Sequence, residues 1–441
     1  MVRPDVGGRR SAWAENSERL RRAATTEPGR LRIIGAVIAS LVIVFGAVTA
    51  WQMTDRADAA DDVLLKSQPL TSDAADIYRA LAEANTAASS AFLAGGQETP
   101  QARTRYEDNI ATAAKQLVTA AASAEPGSPS ARAITTLNTA LPVYKGLVER
   151  ARTYNRMGFP VGGAYLRYAN QKMQDEMLPA AQSLYDGENA RLKSDYADAK
   201  AYPWAAIALG ALALAVLAGA QLREYRRTNR LLNPGLVAAS AAAAVVLLWL
   251  AAGHSVARVE LNGSQKNGVR SLEALHNAHI AALKARGNEN LTLVSRGAET
   301  VDGKDKYDEA YTREMANLVN DLARAGSYAD DGQGEAPVEA ANKSVAEWQT
   351  RHKAARAQDL NGDYEEALAR VIGSTEPTSQ SFDAVDKSLQ SALTHEQAEF
   401  KEAARDGRSA FSGLPVGAGV LAVLGAAGAV LGIGRRLSEF R

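Results

Sequence analysis

The chain of 441 residues has no cysteine. Disulfides, thiolate metal sites, iron–sulfur clusters and cysteine nucleophiles are therefore excluded. Aromatic residues reach only 6%, and histidines number five. Net charge is also lacking, because Lys plus Arg and Asp plus Glu each total 50. No basic surplus is available for a nucleic-acid partner. P-loop, HExxH and GxSxG patterns do not occur. No histidine stands in a triad context. The chain is thus read as a non-enzyme, without catalytic residues, cofactor or bound metal. What remains is alanine-rich and well charged, a composition that favours long helices.

Four stretches, 33–53, 203–222, 234–253 and 415–434, contain no Asp, Glu, Lys or Arg. Each is near the length that crosses a ~30 Å hydrocarbon core. Residues 1–32, the loop 223–233 and the tail 435–441 together hold 15 basic and 6 acidic residues. The segments 54–202 and 254–414 hold the other 35 basic and 44 acidic residues. This bias predicts a multi-pass plasma-membrane protein in the lipid bilayer, with both termini and the short loop cytoplasmic. The two long segments then face outward. A cleaved signal peptide is the competing reading of the first span, since Val48-Thr49-Ala50 ends in small residues. The 32 residues before it favour a retained span. Spans without charge disfavour an ion or proton pathway. Small residues, Ala205, Ala208, Ala211, Ala215 and Gly219 in one span and Gly425, Gly428 and Gly432 in another, allow close helix approach. That approach is either within one chain or between copies in a homo-oligomer.

The two long segments match at an offset of 201. Gly96-Gln97-Glu98-Thr99 aligns with Gly297-Ala298-Glu299-Thr300, and Arg105-Tyr106-Glu107-Asp108 with Lys306-Tyr307-Asp308-Glu309. Further on the offset is 204, pairing Tyr144 with Trp348 and Arg152 with Arg356. An internal duplication of span, bundle and span is the expected origin. Gly and Pro clusters at 95–100, 125–129 and 158–163 cut the first segment into four helical stretches. Those at 296–297, 326–337, 361–362 and 373–377 divide the second. No hydrophobic run reads as a strand. The expected fold is all-α: four transmembrane helices with two tandem extracytoplasmic four-helix bundles. Pro69 and Pro179 mark where the longer first and fourth helices leave the first bundle.

In up-down order the turns near 95–100 and 158–163 share one end of the first bundle. Arg150, Arg152, Arg156 and Arg167 gather there, and Arg152 and Arg156 are four apart on one helix face. Guanidinium groups bind carboxylates in bidentate fashion. The functional reading is a grip on an acidic ligand or partner. The competing one is a solvated face with Glu149 pairing to Arg152. Two metal patterns are weaker. Asp359, Asn361, Asp363 and Glu365 alternate as in a calcium loop, but Arg370 stands where Glu is required. Glu273, His276 and His279 lack a second cluster to complete a site.

The layout, and the segment from Val148-Glu149-Arg150-Ala151-Arg152 to Gly163-Ala164-Tyr165-Leu166-Arg167, resembles the GlnX-type membrane proteins of actinobacteria. That resemblance implies a relay between an extracytoplasmic amino-acid-binding lipoprotein and a cytoplasmic serine/threonine protein kinase, protein kinase G. Arg150, Arg152, Asn155, Arg156, Tyr165 and Arg167 are then the candidate ligand- or partner-binding residues. An envelope scaffold or a transporter-accessory protein is the alternative.

Overall fold

The computed structural model describes residues 27–95, 100–228, 233–329 and 331–437, nearly all helical. The helices are α1 (Glu27–Asp62), α2 (Gln68–Leu93), α3 (Pro100–Ser123), α4 (Pro129–Arg156), α5 (Val161–Lys172), α6 (Leu178–Ala199) and α7 (Trp204–Thr228). There follow α8 (Pro234–Gly263), α9 (Arg270–Ser295), α10 (Lys306–Tyr328), α11 (Gly332–Leu360), α12 (Tyr364–Ile372), α13 (Thr378–Ser409) and α14 (Leu414–Leu437). Four of the helical runs are long and apolar enough to cross a membrane. The chain is therefore an all-α, multi-pass membrane protein. It divides into two compact units. One draws on the described parts of Met1–Ala60, Asp198–Val259 and Asp406–Arg441, the other on Asp61–Ala197 and Glu260–Arg405.

In the first unit Ile38, Val42 and Phe45 of α1 share a core with Leu217 of α7, Val246 of α8 and Ile433 of α14. Glycine sets the closest approach. A Cβ on Gly235 would lie 2.2 Å from the Gly428 carbonyl oxygen, and one on Gly46 would lie 2.1 Å from the Ala422 Cβ. Asn233 secures the same crossing. Its Nδ2 donates to the Gly432 carbonyl (3.0 Å), and its Oδ1 accepts from Gly235 N (3.1 Å). The small residues at 428 and 432 thus serve packing within the chain. Ala205, Ala208, Ala211, Ala215 and Gly219 are exposed on α7.

The helix is broken between α6 and α7. Arg56 of α1 donates from Nε to the Ala201 carbonyl (2.7 Å) and from Nη2 to that of Tyr202 (3.2 Å). Gln52 accepts from Ala206 N (3.0 Å). These two side chains satisfy backbone groups that the break leaves without helical partners.

In the second unit α2 to α6 form one bundle and α9 to α13 another. Matched positions share core roles: Leu117 and Leu318, and Tyr144 and Trp348, are all fully buried. The bundles lie side by side through α2 and α9. Sixteen of 26 residues of α2 and 20 of 26 of α9 are buried, so both helices are enclosed on most sides. Widened π turns at Val63–Ser67 and Met173–Met177 directly precede the helices that begin with Pro69 and Pro179 near their starts. Proline lacks the N–H that a regular α turn requires there. A third π turn, Ser264–Val269, begins 201 residues after the first. One departure from expectation is a two-residue hairpin, Thr300–Val301 against Lys304–Asp305. Asp302 and Gly303 both take positive φ (51° and 78°), the type I′ turn that an Asp-Gly pair favours.

Gly235→Leu places a side chain against backbone and should lower the unfolding midpoint of detergent-solubilised protein. The cost is ~1–3 kcal/mol or more, as for other overpacked cores. Gly219→Leu, with open space at its Cβ, should leave the midpoint unchanged.

Candidate functional site

The second bundle has a charged interior. On α11, Trp348, His352 and Arg356 recur every four residues and so share one face. Arg286 and Glu289 meet them from α9. The Glu289 carboxylate is 2% exposed. It accepts from Arg286 Nη1 (2.5 Å), Trp348 Nε1 (3.2 Å) and Thr378 Oγ1 (3.0 Å), and His352 Nδ1 lies 2.9 Å away. His352 Nε2 lies 3.4 Å from Asp308 Oδ1, and Tyr311 stacks on the ring at 3.6 Å. Arg356 contacts Asp305, Asp308 and Asp359. Burial opposes charge on His352, but Asp308 and Glu289 outweigh it and raise its pKa to about 9. Burial likewise opposes ionisation of Glu289, yet Arg286 and His352 hold its pKa below the ordinary carboxylate value. These are buried ions that satisfy one another. Removing one partner strands another, at a cost of ~3–5 kcal/mol.

The first bundle carries apolar residues at the matching positions, and its buried polar contacts lie elsewhere: Asn85 Nδ2 donates to Asn170 Oδ1 (2.9 Å), and Ser130 Oγ donates to Glu188 Oε1 (2.8 Å). The positions aligned with Glu289 and His352 are Ala88 and Val148. They line, with Ala151, Arg152, Asn155 and Arg156, a void of about 10 Å³. That is room for about one water molecule.

The six candidate residues fall in three places. Arg152, Asn155 and Arg156 border this void. Arg152 is 7% exposed, bonds Glu149 Oε1 at 2.7 Å and lies over the Tyr106 ring at 5.1 Å. Asn155 donates to the Phe92 carbonyl (2.8 Å), tying α4 to the end of α2. Arg150 lies over Tyr165 (5.9 Å), which stacks on Tyr154. Arg167 points elsewhere, with its Nε 2.9 Å from Glu299 Oε1 in the other bundle. Beside this group, Met157, Phe159 and Val161 are 57%, 54% and 45% exposed, forming an apolar turn.

Two clefts between the bundles are far larger than the void. One, about 390 Å³, is lined by Glu83, Ser90 and Arg105 from the first bundle and by Arg286, Phe382 and Asp383 from the second. Arg105 Nη1 lies 3.5 Å from Asp383 Oδ1 across it. The other, about 330 Å³, is lined by Arg167, Gln171 and Gln174 from the first bundle and by Asn288, Glu299 and Lys306 from the second. Both fall within the ~300–1,000 Å³ typical of small-ligand sites. Arg105 and Lys306 are matched positions, and each lines one cleft. The aligned blocks around Arg105 and Lys306 carry that signal in the sequence.

The weaker metal patterns do not converge. His279 pairs with Asp386 (2.5 Å), while Glu273 pairs with Lys193 (3.5 Å). His276 is pushed down to about 3 by burial, then by His279 and Arg79. Asp359 binds Arg356, and Asp363 caps α12 by accepting from Glu366 N. Among the described residues, Asp331, His395 and Glu399 bring ligand atoms within 4.8 Å of one another. Asp331 already caps α11, accepting from Gln333 N and Gly334 N.

Residues 59–197 match the family model described as an actinobacterial sensor domain. The match covers the first bundle and less than half of the chain. No curated protein and no solved structure matches. The matched domain and the four apolar helices together support a transmembrane sensor of actinobacterial type.

His352 supplies a pH test. Its folded pKa of about 9 lies above its ordinary 6.5. Its stabilisation is therefore complete below pH ~6.5 and is lost as pH rises through about 9. The unfolding midpoint should fall across that window, and His352→Gln should flatten that part of the profile. An unchanged slope in the variant would remove His352 as its source.

Proposed function

We propose that this protein is a non-enzymatic transmembrane sensor or relay. In this reading both termini are cytoplasmic and the bundle unit faces outward. The bundle unit receives an amino-acid signal, directly or from a solute-binding lipoprotein. The state passes along the helices to a cytoplasmic serine/threonine protein kinase. One observation carries the reading: all four chain crossings between the two units fall inside helices, and α1 and α8 run unbroken from an apolar span through the crossing, whereas α6 and α13 end a few residues beyond it. A helix carries a small shift or rotation along its axis, whereas a flexible loop dissipates it. The identity of input and output rests on the resemblance to GlnX-type proteins.

The apolar turn at Met157, Phe159 and Val161, flanked by Arg150 and Arg156, suits a protein partner. Aromatic and Arg anchors dominate such contacts. The exposed small-residue face of α7 favours the second reading, an envelope scaffold or transporter-accessory protein built from several copies.

A photo-crosslinker at Phe159 in intact cells tests the choice. Recovery of a solute-binding lipoprotein, changing with external amino acids, is the expected result. Recovery only of further copies of this chain would turn the assignment toward the scaffold. Orientation has its own test. Glu125→Cys and Ser374→Cys, at exposed positions in a chain without other thiols, should react with an impermeant maleimide from outside. Protection of both would reverse the topology.

A further inference from the structure

The smaller cleft already holds a carboxylate in a grip. Glu299 lies on the turn after α9, where Arg296 and Gly297 both take positive φ. Its Oε1 meets Arg167 Nε at 2.9 Å, and Arg167 belongs to the other bundle. Its Oε2 lies 3.2 Å from Lys306 Nζ and accepts from the Tyr307 hydroxyl at 3.1 Å. Burial, then the Glu299 charge, pushes the Tyr307 phenol up, which keeps it a donor. One carboxylate is thus held by three donors from two bundles.

The donors and the acceptor differ in how they are mounted. Lys306 and Tyr307 open α10, whose first turn is fixed by Asp305 accepting from Tyr307 N and Asp308 N. The positive end of the α10 dipole adds to their attraction for an anion. Arg167 is carried on α5. Glu299 instead belongs to the turn and hairpin between α9 and α10. Its side chain is 32% exposed and that of Arg167 is 28% exposed, so solvent reaches the contact. Asp175, Arg313 and Glu314 put both signs of charge on the walls beyond it.

The geometry points to this cleft as a binding site for a small carboxylate-bearing molecule, whose carboxylate takes the place of Glu299 between Arg167 and Lys306. Glu299 is then a tethered competitor, which lowers the apparent affinity by the fraction of time it vacates the grip. Displacing it replaces a bond between the bundles with one made through the ligand, while the backbone of the turn stays tied by Lys306 N donating to the Glu299 carbonyl (3.1 Å). The larger cleft is less suited, because its buried cation, Arg286, is engaged by Glu289, Thr378 and the Val371 carbonyl. The chemistry stands on the geometry alone; its use as an input rests on the sensor reading above.

The test uses the full-length chain in nanodiscs, titrated calorimetrically with L-glutamate and with succinate. Binding of L-glutamate alone assigns the site to amino acids. Binding of succinate as well assigns it to carboxylates more broadly. Glu299→Gln keeps the shape but weakens the competitor, and should tighten apparent affinity roughly five- to tenfold. Arg167→Met should weaken it by a comparable factor. Ala310→Cys, on the cleft wall, should be protected from maleimide by bound ligand. That variant keeps the inference testable even if Arg167→Met misfolds. Equal affinity in wild type and Glu299→Gln, or no protection at Ala310→Cys with either ligand, overturns the site. The Phe159 crosslink separates the two claims. A crosslink that responds to external amino acids without cleft binding leaves the sensor and sinks the site. Cleft binding with an unresponsive crosslink does the reverse.

Discussion

The bundle unit depends on the contact between α2 and α9. Both helices are enclosed on most sides, so their polar groups must find partners within the protein. Thr86 Oγ1 donates to the Leu283 carbonyl (2.9 Å), and Asn290 Nδ2 donates to Ser89 Oγ (3.1 Å) and Ser90 Oγ (2.8 Å). Alanines at 80, 84, 87, 88 and 91 keep α2 slim enough to be surrounded. Ser89 and Asn290 are 201 residues apart, the offset of the sequence matches, and Thr86 has the same relation to Gly287. The contact therefore has the self-complementary form of a two-fold interface, with each surface meeting its own counterpart. The clefts on either side follow from that arrangement.

The bundles differ in how they fill the same interior space. Ions and a Trp lock the second, and the Glu289 carboxylate joins α9, α11 and the start of α13. The first has Ala88 and Val148 at the aligned positions beside a small void, and its buried hydrogen bonds join Asn85 to Asn170 and Tyr144 instead. The sensor-domain match falls on the first bundle.

Much of this fold was legible in the sequence. Runs without charge marked the spans, and glycine and proline marked most turns. Pro69 and Pro179 mark where the longer helices leave the first bundle, but the π turns just before both carry no sequence signal beyond the prolines themselves. The side-by-side pairing was not legible. Alanine on α2 reads as a good helix former on any face, and periodicity does not tell a buried alanine from an exposed one. The hairpin at 300–305 escaped because its Asp-Gly turn has no alternating strands beside it. Arg152 and Arg156 do share the face that their spacing implies, but spacing carries no depth. Arg152 turned inward over Tyr106, while Arg167 reached another bundle. Cleft residues such as Glu299 are joined by tertiary structure alone, and no local pattern announces them.

The α2–α9 contact also has a consequence for biogenesis. The partner of α2 is encoded some 200 residues downstream, beyond two membrane spans. At ~5–20 residues per second, α2 waits on the order of 10–40 s for α9 to emerge. Throughout that interval Thr86, Ser89 and a long alanine face lie open to water. The polar groups scattered along the face make such a wait tolerable, since water hydrogen-bonds them until protein does. A face of leucines in their place would pack as tightly at the end but would invite aggregation first.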